Sequence, residues 1–341
     1  MEKKGIFNLP ENALFLAPME DVTDPSFRYM TKKFGADFVY TEFVASEGLI
    51  RECNKSRKKL EVFDYERPVA IQLYGHQIES MVAAAKLAEE ANPDFIDLNY
   101  GCPVRKIATR GAGAGLLRDI PLMLKMTEAI VKAVNVPVTV KTRLGWDEND
   151  KPIVELAEQL QDTGIQMLAI HGRTRMQMYR GKADWTLIGE VKNNPRMHIP
   201  VVGNGDIDGP VSAKEAFDKY GVDGVMIGRA TVGRPWIFKE IKHYLQHSKL
   251  MPPLTIKEKA DLAIEHLEKS VEWKGYPRGI FEMRRHLSNY FKGLPHFKET
   301  RMKLVTSLDI DELRALIHDI PNRYAGYSDN DQKDDYNFFH N

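Results

Sequence analysis

The sequence predicts an α/β protein in which a closed parallel sheet is followed by a small all-helical domain. Three observations predict it. The first 245 residues repeat one rhythm eight times: a short apolar or β-branched run, a polar turn, then, in most repeats, an amphipathic helical stretch. Polar residues recur at the C-terminal ends of those runs. Beyond residue 250 the runs stop and only helical periodicity remains. Strands alternating with helices build parallel sheets, and eight such units in about 230 residues have the size of a TIM (β/α)8 barrel.

The eight predicted strands fall at 14–17, 38–40, 69–72, 95–98, 138–141, 167–170, 201–202 and 224–227. Helical patterns fill the gaps, for example at 78–90, 121–134, 153–163 and 211–220. The link from 38 to 69 is the least regular. Gln72 ends the third run, and Asn99 and Cys102 follow the fourth. Lys141 and Arg143 close the fifth, and His171 and Arg173 the sixth. Asn204 and Asp206 follow the seventh, and Gly228 and Arg229 the eighth. In a barrel all these ends share one rim, the face on which active sites are built. Each residue alone reads equally well as a turn former or a satisfied core group. Six strands delivering polar groups to one rim point to a site.

The turns Gly203-Asn-Gly-Asp206 and Ile227-Gly-Arg-Ala230 follow the last two strands, where barrels often take a phosphate on backbone N–H groups. The segment Arg110-Gly-Ala-Gly-Ala-Gly115 is neither a P-loop, lacking the Gly-Lys-Ser/Thr ending, nor a dinucleotide fingerprint. It reads either as a turn or as a mobile lid beside Cys102.

The totals exclude several classes. Hydrophobic residues make up 43% and charged residues 28%, an ordinary globular composition. No run of 18 apolar residues exists, so no membrane span is expected, and no apolar segment after Met1-Glu-Lys-Lys-Gly5 suggests a secretory signal. Cys53 and Cys102 are the two cysteines, which fits a reducing, cytoplasmic location without disulfides. No Cys-x-x-Cys or His-Glu-x-x-His spacing appears, so no metal is expected. Forty-eight basic residues balance 48 acidic ones, which leaves room for a local patch. That patch lies at 269–303, with nine Lys or Arg against three Glu and interleaved Trp273, Tyr276, Phe281, Tyr290, Phe291 and Phe297. It suits an RNA backbone, or equally a solvated face over an aromatic core. The predicted division is 1–248 barrel, 249–254 linker, 255–321 helical domain and 322–341 disordered tail.

The chain resembles the tRNA-dihydrouridine synthase family over roughly 13–320. The resemblance is carried by Ala17-Pro-Met-Glu-Asp-Val-Thr-Asp24, Gln72-Leu-Tyr-Gly75, Asp97-Leu-Asn-Tyr-Gly-Cys-Pro103 and Val140-Lys-Thr-Arg143. His171-Gly-Arg-Thr-Arg175, Tyr179-Arg-Gly-Lys-Ala-Asp-Trp185, Gly203-Asn-Gly-Asp206 and Asp223-Gly-Val-Met-Ile-Gly-Arg229 continue it. Met283-Arg-Arg-His286 and Tyr290-Phe-Lys-Gly-Leu-Pro295 look like that family's helical tRNA-binding domain. The resemblance implies a barrel holding FMN, NADPH or NADH as reductant and tRNA as substrate; a monomer is expected. By motif match Pro18, Met19, Glu20, Gln72, Lys141, His171, Asn204, Gly205, Asp206, Gly228 and Arg229 are the expected cofactor residues. Cys102 is the expected catalytic acid. Asn99, Arg143, Arg173, Arg284 and Arg285 are the expected substrate contacts. Glu20 departs from the small residue usual after Pro-Met, and Tyr100 from the usual Met.

The chemistry of the residues agrees. Uracil's C5=C6 bond is conjugated with its C4 carbonyl, so hydride addition at C6 builds charge toward O4 and C5 then needs a proton. A free thiol, with a pKa of about 8.5, is mainly protonated near neutrality and can donate. Lys141, with Arg143 or His171, can stabilise the developing charge. Cys102 has competing readings as a covalent nucleophile, with His171 as base, or as an inert apolar group. Cys53 reads as incidental. Two further functions compete: a flavin barrel acting on a free small molecule, of dihydroorotate or dihydropyrimidine dehydrogenase type, and an RNA-binding protein without catalysis.

Overall fold

The computed structural model describes residues 8–327. Among them nine strands form one parallel sheet: β1 (Ala13–Leu16), β2 (Val39–Tyr40), β3 (Val44–Ala45), β4 (Val69–Tyr74), β5 (Phe95–Asn99), β6 (Val138–Arg143), β7 (Leu168–His171), β8 (Val201–Asn204) and β9 (Gly224–Ile227). The ring runs β1-β9-β8-β7-β6-β5-β4-β2, with β3 added to the end of β4. It closes where Phe15 bridges Phe38 and the Leu16 N–H donates to the Phe38 carbonyl at 2.9 Å. The architecture is the predicted barrel.

Alternation along each strand sorts the side chains. Leu14, Leu16, Ile71, Leu73, Ile96, Leu98, Val140 and Ile170 face outward into the apolar helix faces. Phe15, Phe38, Tyr40 and Phe95 face inward with Ala70, Ala169 and Val202. Phe15 and Phe38 stack at 4.6 Å, and Tyr40 meets Phe95 edge-on at 5.5 Å. The barrel interior is therefore a filled aromatic plug. Above it, in register, come Gln72, Asp97 and Thr139, and then Asn99 and Lys141.

Five strands extend beyond the predicted ends. β4 runs to Tyr74, β5 to Asn99, β6 to Arg143, β7 to His171 and β8 to Asn204. A polar residue ends an apolar run in sequence, but its backbone stays in the ladder when its side chain points into the barrel mouth. Gln72 is thus an inward residue in mid-strand, not a strand end. The irregular link holds two short helices, Ser46–Ile50 and Asn54–Lys58, and a 3-10 turn, Asp64–Glu66. Glu66 from that turn forms a buried fork with Arg28, at 2.6 and 2.8 Å.

The C-terminal helices are Ile256–Lys274, Arg278–Tyr290, Lys298–Thr306 and Ile310–Arg323. Thr255 and Glu258 cap the first reciprocally. Leu267, Ile280, Met283, Leu287, Tyr290, Phe291, Leu304, Leu313 and Ile317 form their core. Three of the six aromatics in the basic stretch (Tyr290, Phe291 and Phe297) are therefore core residues, while Tyr276 and Phe281 are exposed. Residues 322–327 of the expected tail belong to this module, since Tyr324 donates its hydroxyl to the Pro295 carbonyl at 2.8 Å. Residues 328–341 lie outside the described range.

The module is locked to the barrel. The Lys274 ammonium is buried between Asp24 of the barrel and Glu282. Phe27 packs against the His286 and His266 rings, at 4.5 and 5.5 Å. Trp273 donates its indole N–H to Glu61 at 2.9 Å. One of the nine counted cations, Lys274, thus joins the two halves and is not available to a nucleic acid. Among the described residues no helix is long and apolar enough to cross a membrane.

Candidate active site

A cavity of about 530 Å³ opens at the C-terminal rim of the barrel. Pro18, Met19, Asn99, Cys102, Lys141, Arg143, His171, Asn204, Gly205, Asp206, Gly228 and Arg229 all line it. The sequence reading missed Phe43, Tyr179, Ile207, Asp208 and Met226 in the same wall. Tyr179 has a clear role: the guanidiniums of Arg143 and Arg229 lie 5.7 and 5.2 Å from its ring centre. It sits inside the Tyr179–Trp185 motif, where a lone exposed aromatic gave no chemical signal. Phe43 lies in the irregular link.

Cys102 is 8% exposed. A chain of amides holds its turn. The Asn99 side-chain carbonyl accepts the Cys102 N–H at 2.9 Å and the Gly101 N–H at 3.1 Å. The Asn99 amide donates to the Gln72 carbonyl oxygen at 2.8 Å. Gln72 in turn donates to Asp97 at 2.6 Å, and Thr139 donates to the other Asp97 oxygen at 2.5 Å. Every amide in the chain has a fixed orientation, because each donor faces an acceptor. Gln72 is fully buried, one layer beneath the cavity wall, with both ends of its amide engaged.

The glycine segment is neither an open lid nor a bare turn. Gly113–Arg118 is a 3-10 helix, buried from Gly113 to Leu117. Ala114 donates its N–H to the Cys102 carbonyl at 3.1 Å. Gly113 has φ +56°, and a Cβ there would stand 3.1 Å from the Cys102 Cβ. The segment packs against the thiol's backbone.

Electrostatics divide the groups. Burial pushes the Cys102 thiol above its ordinary value, against smaller pulls from the Val104 N–H, Arg143 and Lys141, so it is protonated at neutrality. Burial, then Arg143, brings Lys141 down to about 8. Burial lowers Arg143 to about 10, so it stays cationic. Its Nε donates to the Gly101 carbonyl at 2.7 Å. Burial, then Arg143 and Lys141, holds His171 well below its usual range, so it is neutral. Arg173 donates to His171 Nε2 at 3.3 Å. An arginine can only donate, so Nε2 accepts and Nδ1 carries the proton. A neutral His171 can act on developing charge only as a hydrogen-bond donor through Nδ1–H, not as a cation.

Four expected site residues stand elsewhere. Arg173 is 1% exposed. It pairs with Asp206 at 2.6 Å and donates to the Gly181 carbonyl at 2.6 Å, so it braces the rim and does not face a substrate. Asp206 also accepts from Ala183 N–H at 2.7 Å and from Arg229 at 3.0 Å. Glu20 points away to Lys59 at 2.5 Å. Among the described residues Glu20, Asp21 and Glu42 are the only close group of possible metal ligands, and the Lys59 ammonium, also 3.5 Å from Glu42, supplies their cation. Arg284 and Arg285 lie on Arg278–Tyr290, outside the cavity. Arg284 donates to the Thr306 carbonyl at 3.3 Å, and its guanidinium lies 4.7 Å from the Phe281 ring. Arg285 is exposed and reaches the Glu20 carbonyl at 3.5 Å.

The family model for dihydrouridine synthase (Dus) matches residues 15–322. The chain belongs to the dihydrouridine synthase family. Its relatives include a probable tRNA-dihydrouridine synthase of Rickettsia bellii, 41% identical over 302 residues, covering 88% of this chain and 92% of that protein. The tRNA-dihydrouridine synthase B of Pseudomonas aeruginosa is 38% identical over 307 residues, covering 90% and 92%. Among solved structures, a 2-naphthoyl-CoA reductase complex aligns with TM-score 0.54 at 11% identity over 69% of this chain. Histamine dehydrogenase from Rhizobium sp. 4-9 aligns with TM-score 0.53 at 13% identity over 83% of this chain. The chain spans 50% and 57% of those two structures, and the likeness is one of fold.

The rim residues suit a flavin. Among the described residues the Lys141 ammonium has neither a hydrogen bond nor an ion pair, although it faces the cavity. Met19, Ala17 and Met226 give apolar walls, and Arg229 adds a cation that is 60% exposed. Gly205, at φ +127°, takes a backbone conformation that side chains disfavour, and a Cβ there would meet Ala183 at 2.7 Å. An apolar slot with one unpaired cation inside and another at its mouth fits a flat ring system carrying a phosphate.

Proposed function

We propose that this protein is a tRNA-dihydrouridine synthase: it reduces the C5=C6 bond of uridine in tRNA, with FMN in the rim cavity and NADPH or NADH as reductant. The observation that carries the reading is a buried, protonated thiol held by an oriented amide chain and sharing its cavity with a lysine that has neither a hydrogen bond nor an ion pair. A nucleophilic cysteine needs an adjacent base to activate it. Neutral His171 is not placed as one, because its Nε2 is taken by Arg173. A proton donor needs only to be protonated and positioned.

When bound, FMN supplies the hydride that C6 of the uracil accepts. Lys141 would hold the flavin's polar edge, and Arg229 with the Gly205 and Gly228 backbone would receive its phosphate. Arg143 and Lys141 stabilise the charge that grows toward O4 of the uracil. Cys102 Sγ gives its proton to C5, and the thiolate left behind is reprotonated from solvent. The two electrons of the hydride and the one proton complete the saturated bond. Asn99 holds the turn that carries the thiol.

A uridine inside a folded tRNA has to be flipped out to reach this cavity, which shape and phosphate contacts support better than base reading. Residues 255–321 serve as the tRNA-binding domain, with 249–254 as its link to the barrel at 1–248. Arg285, beside the rim, is the favoured contact there. Arg284, spent on Thr306 and Phe281, is a weaker one.

The test is direct. Purified protein loaded with FMN is given NADPH and unmodified tRNA, and dihydrouridine is measured by mass spectrometry. Dihydrouridine is expected in tRNA and no turnover on free uracil or dihydroorotate. Turnover of the free compounds without tRNA reduction overturns the reading, as does a protein that cannot be loaded with flavin.

A further inference from the structure

A second depression, also of about 530 Å³, is walled by the segment that follows Cys102 and by residues beyond β6 and β7. Arg105, Arg118 and Arg175 line it with the half-buried Trp146. The Arg118 and Arg175 guanidiniums lie 5.0 and 4.9 Å from the Trp146 ring centre. Among the described residues none of the three arginines is in an ion pair, and Arg175 Nε is buried without a hydrogen-bond partner. The one carboxylate in the wall, Asp119, accepts the Leu122 N–H at 3.1 Å and caps the next helix. Exposed Lys106 and Arg110, also without ion pairs, extend the positive field.

Three arginines against one carboxylate, with none of the three in an ion pair, raise the local potential and repel one another until an anion arrives. Guanidinium forks match phosphate oxygens better than any other side chain. Cation–π contact with Trp146 holds two of these forks in place, which lowers the ordering cost of binding. We propose that Arg118, Arg175 and Arg105 form a phosphodiester site for the tRNA substrate on the barrel itself, separate from the helical module. The proposal rests on the tRNA reading above and adds the contact that reading lacks. Its position gives it a second consequence. Ala108, Thr109, Gly111 and Gly115 form its wall. The same segment donates the Ala114 N–H to the Cys102 carbonyl at 3.1 Å. A tRNA strand gripped here is gripped next to the proton donor.

The experiment uses FMN-loaded protein carrying Arg118→Gln and Arg175→Gln together, with unmodified tRNA as the probe, titrated from 50 to 300 mM salt. Affinity is expected to fall at least tenfold. The slope of log affinity against log salt should drop by about 1 to 2, since each phosphate contact contributes roughly 0.7 to 0.9. The flavin spectrum and the rate of flavin reduction by NADPH should match wild type. If the double variant fails to hold flavin, the exposed Arg105→Gln alone should still lower affinity about threefold with a shallower slope. Wild-type tRNA affinity and slope in these variants overturn the site. Slower reduction by NADPH with unchanged tRNA binding also overturns it, and assigns the cations to the reductant's phosphates. A wild-type protein that neither binds nor reduces tRNA removes the functional reading instead, so the two failures are distinct.

Discussion

Gln72→Leu tests how the proton donor is held. In the folded protein Gln72 stands between a carboxylate and an amide, donating to Asp97 at 2.6 Å and accepting from Asn99 at 2.8 Å. Leucine fills much the same space and does neither. A hydrogen bond to a charged group contributes about 1.5–3 kcal/mol, and a buried donor left facing an apolar side chain costs about 1–3 kcal/mol. The loss near pH 8 is therefore about 3–5 kcal/mol. Its pH dependence is the diagnostic part. Burial already raises the Asp97 carboxyl to about 6, and the Gln72 bond keeps it from rising further. A carboxyl whose folded value is raised lowers stability above that value, and the penalty fades as pH falls toward the unfolded value near 3.9. Removing Gln72 enlarges this penalty, so the variant should lose least at pH 5 and most at pH 8 in urea unfolding. The functional readout is separate. Freed from Gln72, Asn99 no longer fixes the Cys102 turn, and misplacement of a reacting group by about 1 Å can cost about 100-fold in rate. With saturating FMN, reoxidation of reduced enzyme by tRNA should slow about 10- to 100-fold, while reduction by NADPH stays unchanged. A stability loss that is flat between pH 5 and 8, or reoxidation within twofold of wild type, would refute the amide chain as the device that positions the thiol.

Other outcomes follow from the same geometry. Cys102→Ala should keep FMN and tRNA binding in equilibrium titrations but lower single-turnover reduction of tRNA about 100- to 10,000-fold, the range for removing a general acid. Lys141 is charged below about 8, so apoprotein affinity for FMN should fall as pH rises through 8 in fluorescence titration, and Lys141→Met should flatten that limb. Lys274→Met strands the buried Asp24 carboxylate, which should cost about 3–5 kcal/mol by urea unfolding. Arg285→Glu should weaken tRNA binding in a salt-dependent way with the flavin spectrum unchanged.

The barrel was legible because strand and helix periods alternate strongly and because inward polar residues accumulate at one end of each strand. Boundaries were less so. A strand that carries Gln72 or Arg143 into the barrel mouth looks, in one dimension, as though it has ended. The rim residues were found where a motif named them, but their roles were not. Nothing in Arg173 itself says that it braces Asp206 and His171 from behind, because that depends on the loop at 173–181 folding back over its guanidinium. The charge count of the helical stretch was one cation too generous for a similar reason: it could not know that Lys274 is consumed by Asp24, 250 residues away in sequence. The cationic depression around Trp146 was invisible, because Arg105 and Arg118, Trp146 and Arg175 come from three separate segments.

The segment 17–24 explains why cavity and helical module act as one frame. Its first residues, Ala17, Pro18 and Met19, line the cavity. Its Glu20 carbonyl receives Arg285 at 3.5 Å, and its last residue, Asp24, holds Lys274. Between these points the loop is stiff: Met19 accepts the Val22 and Thr23 N–H groups at 3.2 and 3.0 Å, and the Thr23 carbonyl accepts from Arg28 at 2.9 Å. Arg28 is itself fixed by Glu66. Burial works against the Asp24 charge, but Lys274 outweighs it and holds the carboxyl below its usual value. Burial likewise opposes the Lys274 charge, but Asp24 and Glu282 raise it above its own. The stability this pair contributes is lost only as pH falls through the depressed carboxyl or rises through the raised ammonium, so it is intact across neutrality. These contacts tie the module to the barrel from both sides of the loop. On the tRNA reading proposed above, the nucleotide that reaches Cys102 would be set by the distances from the thiol to the surface cations, Arg285 on the helical module and Arg118 and Arg175 on two separate loops of the barrel. Moving those cations by substitution, with no change at the rim, should therefore change which uridine is reduced before it changes how fast.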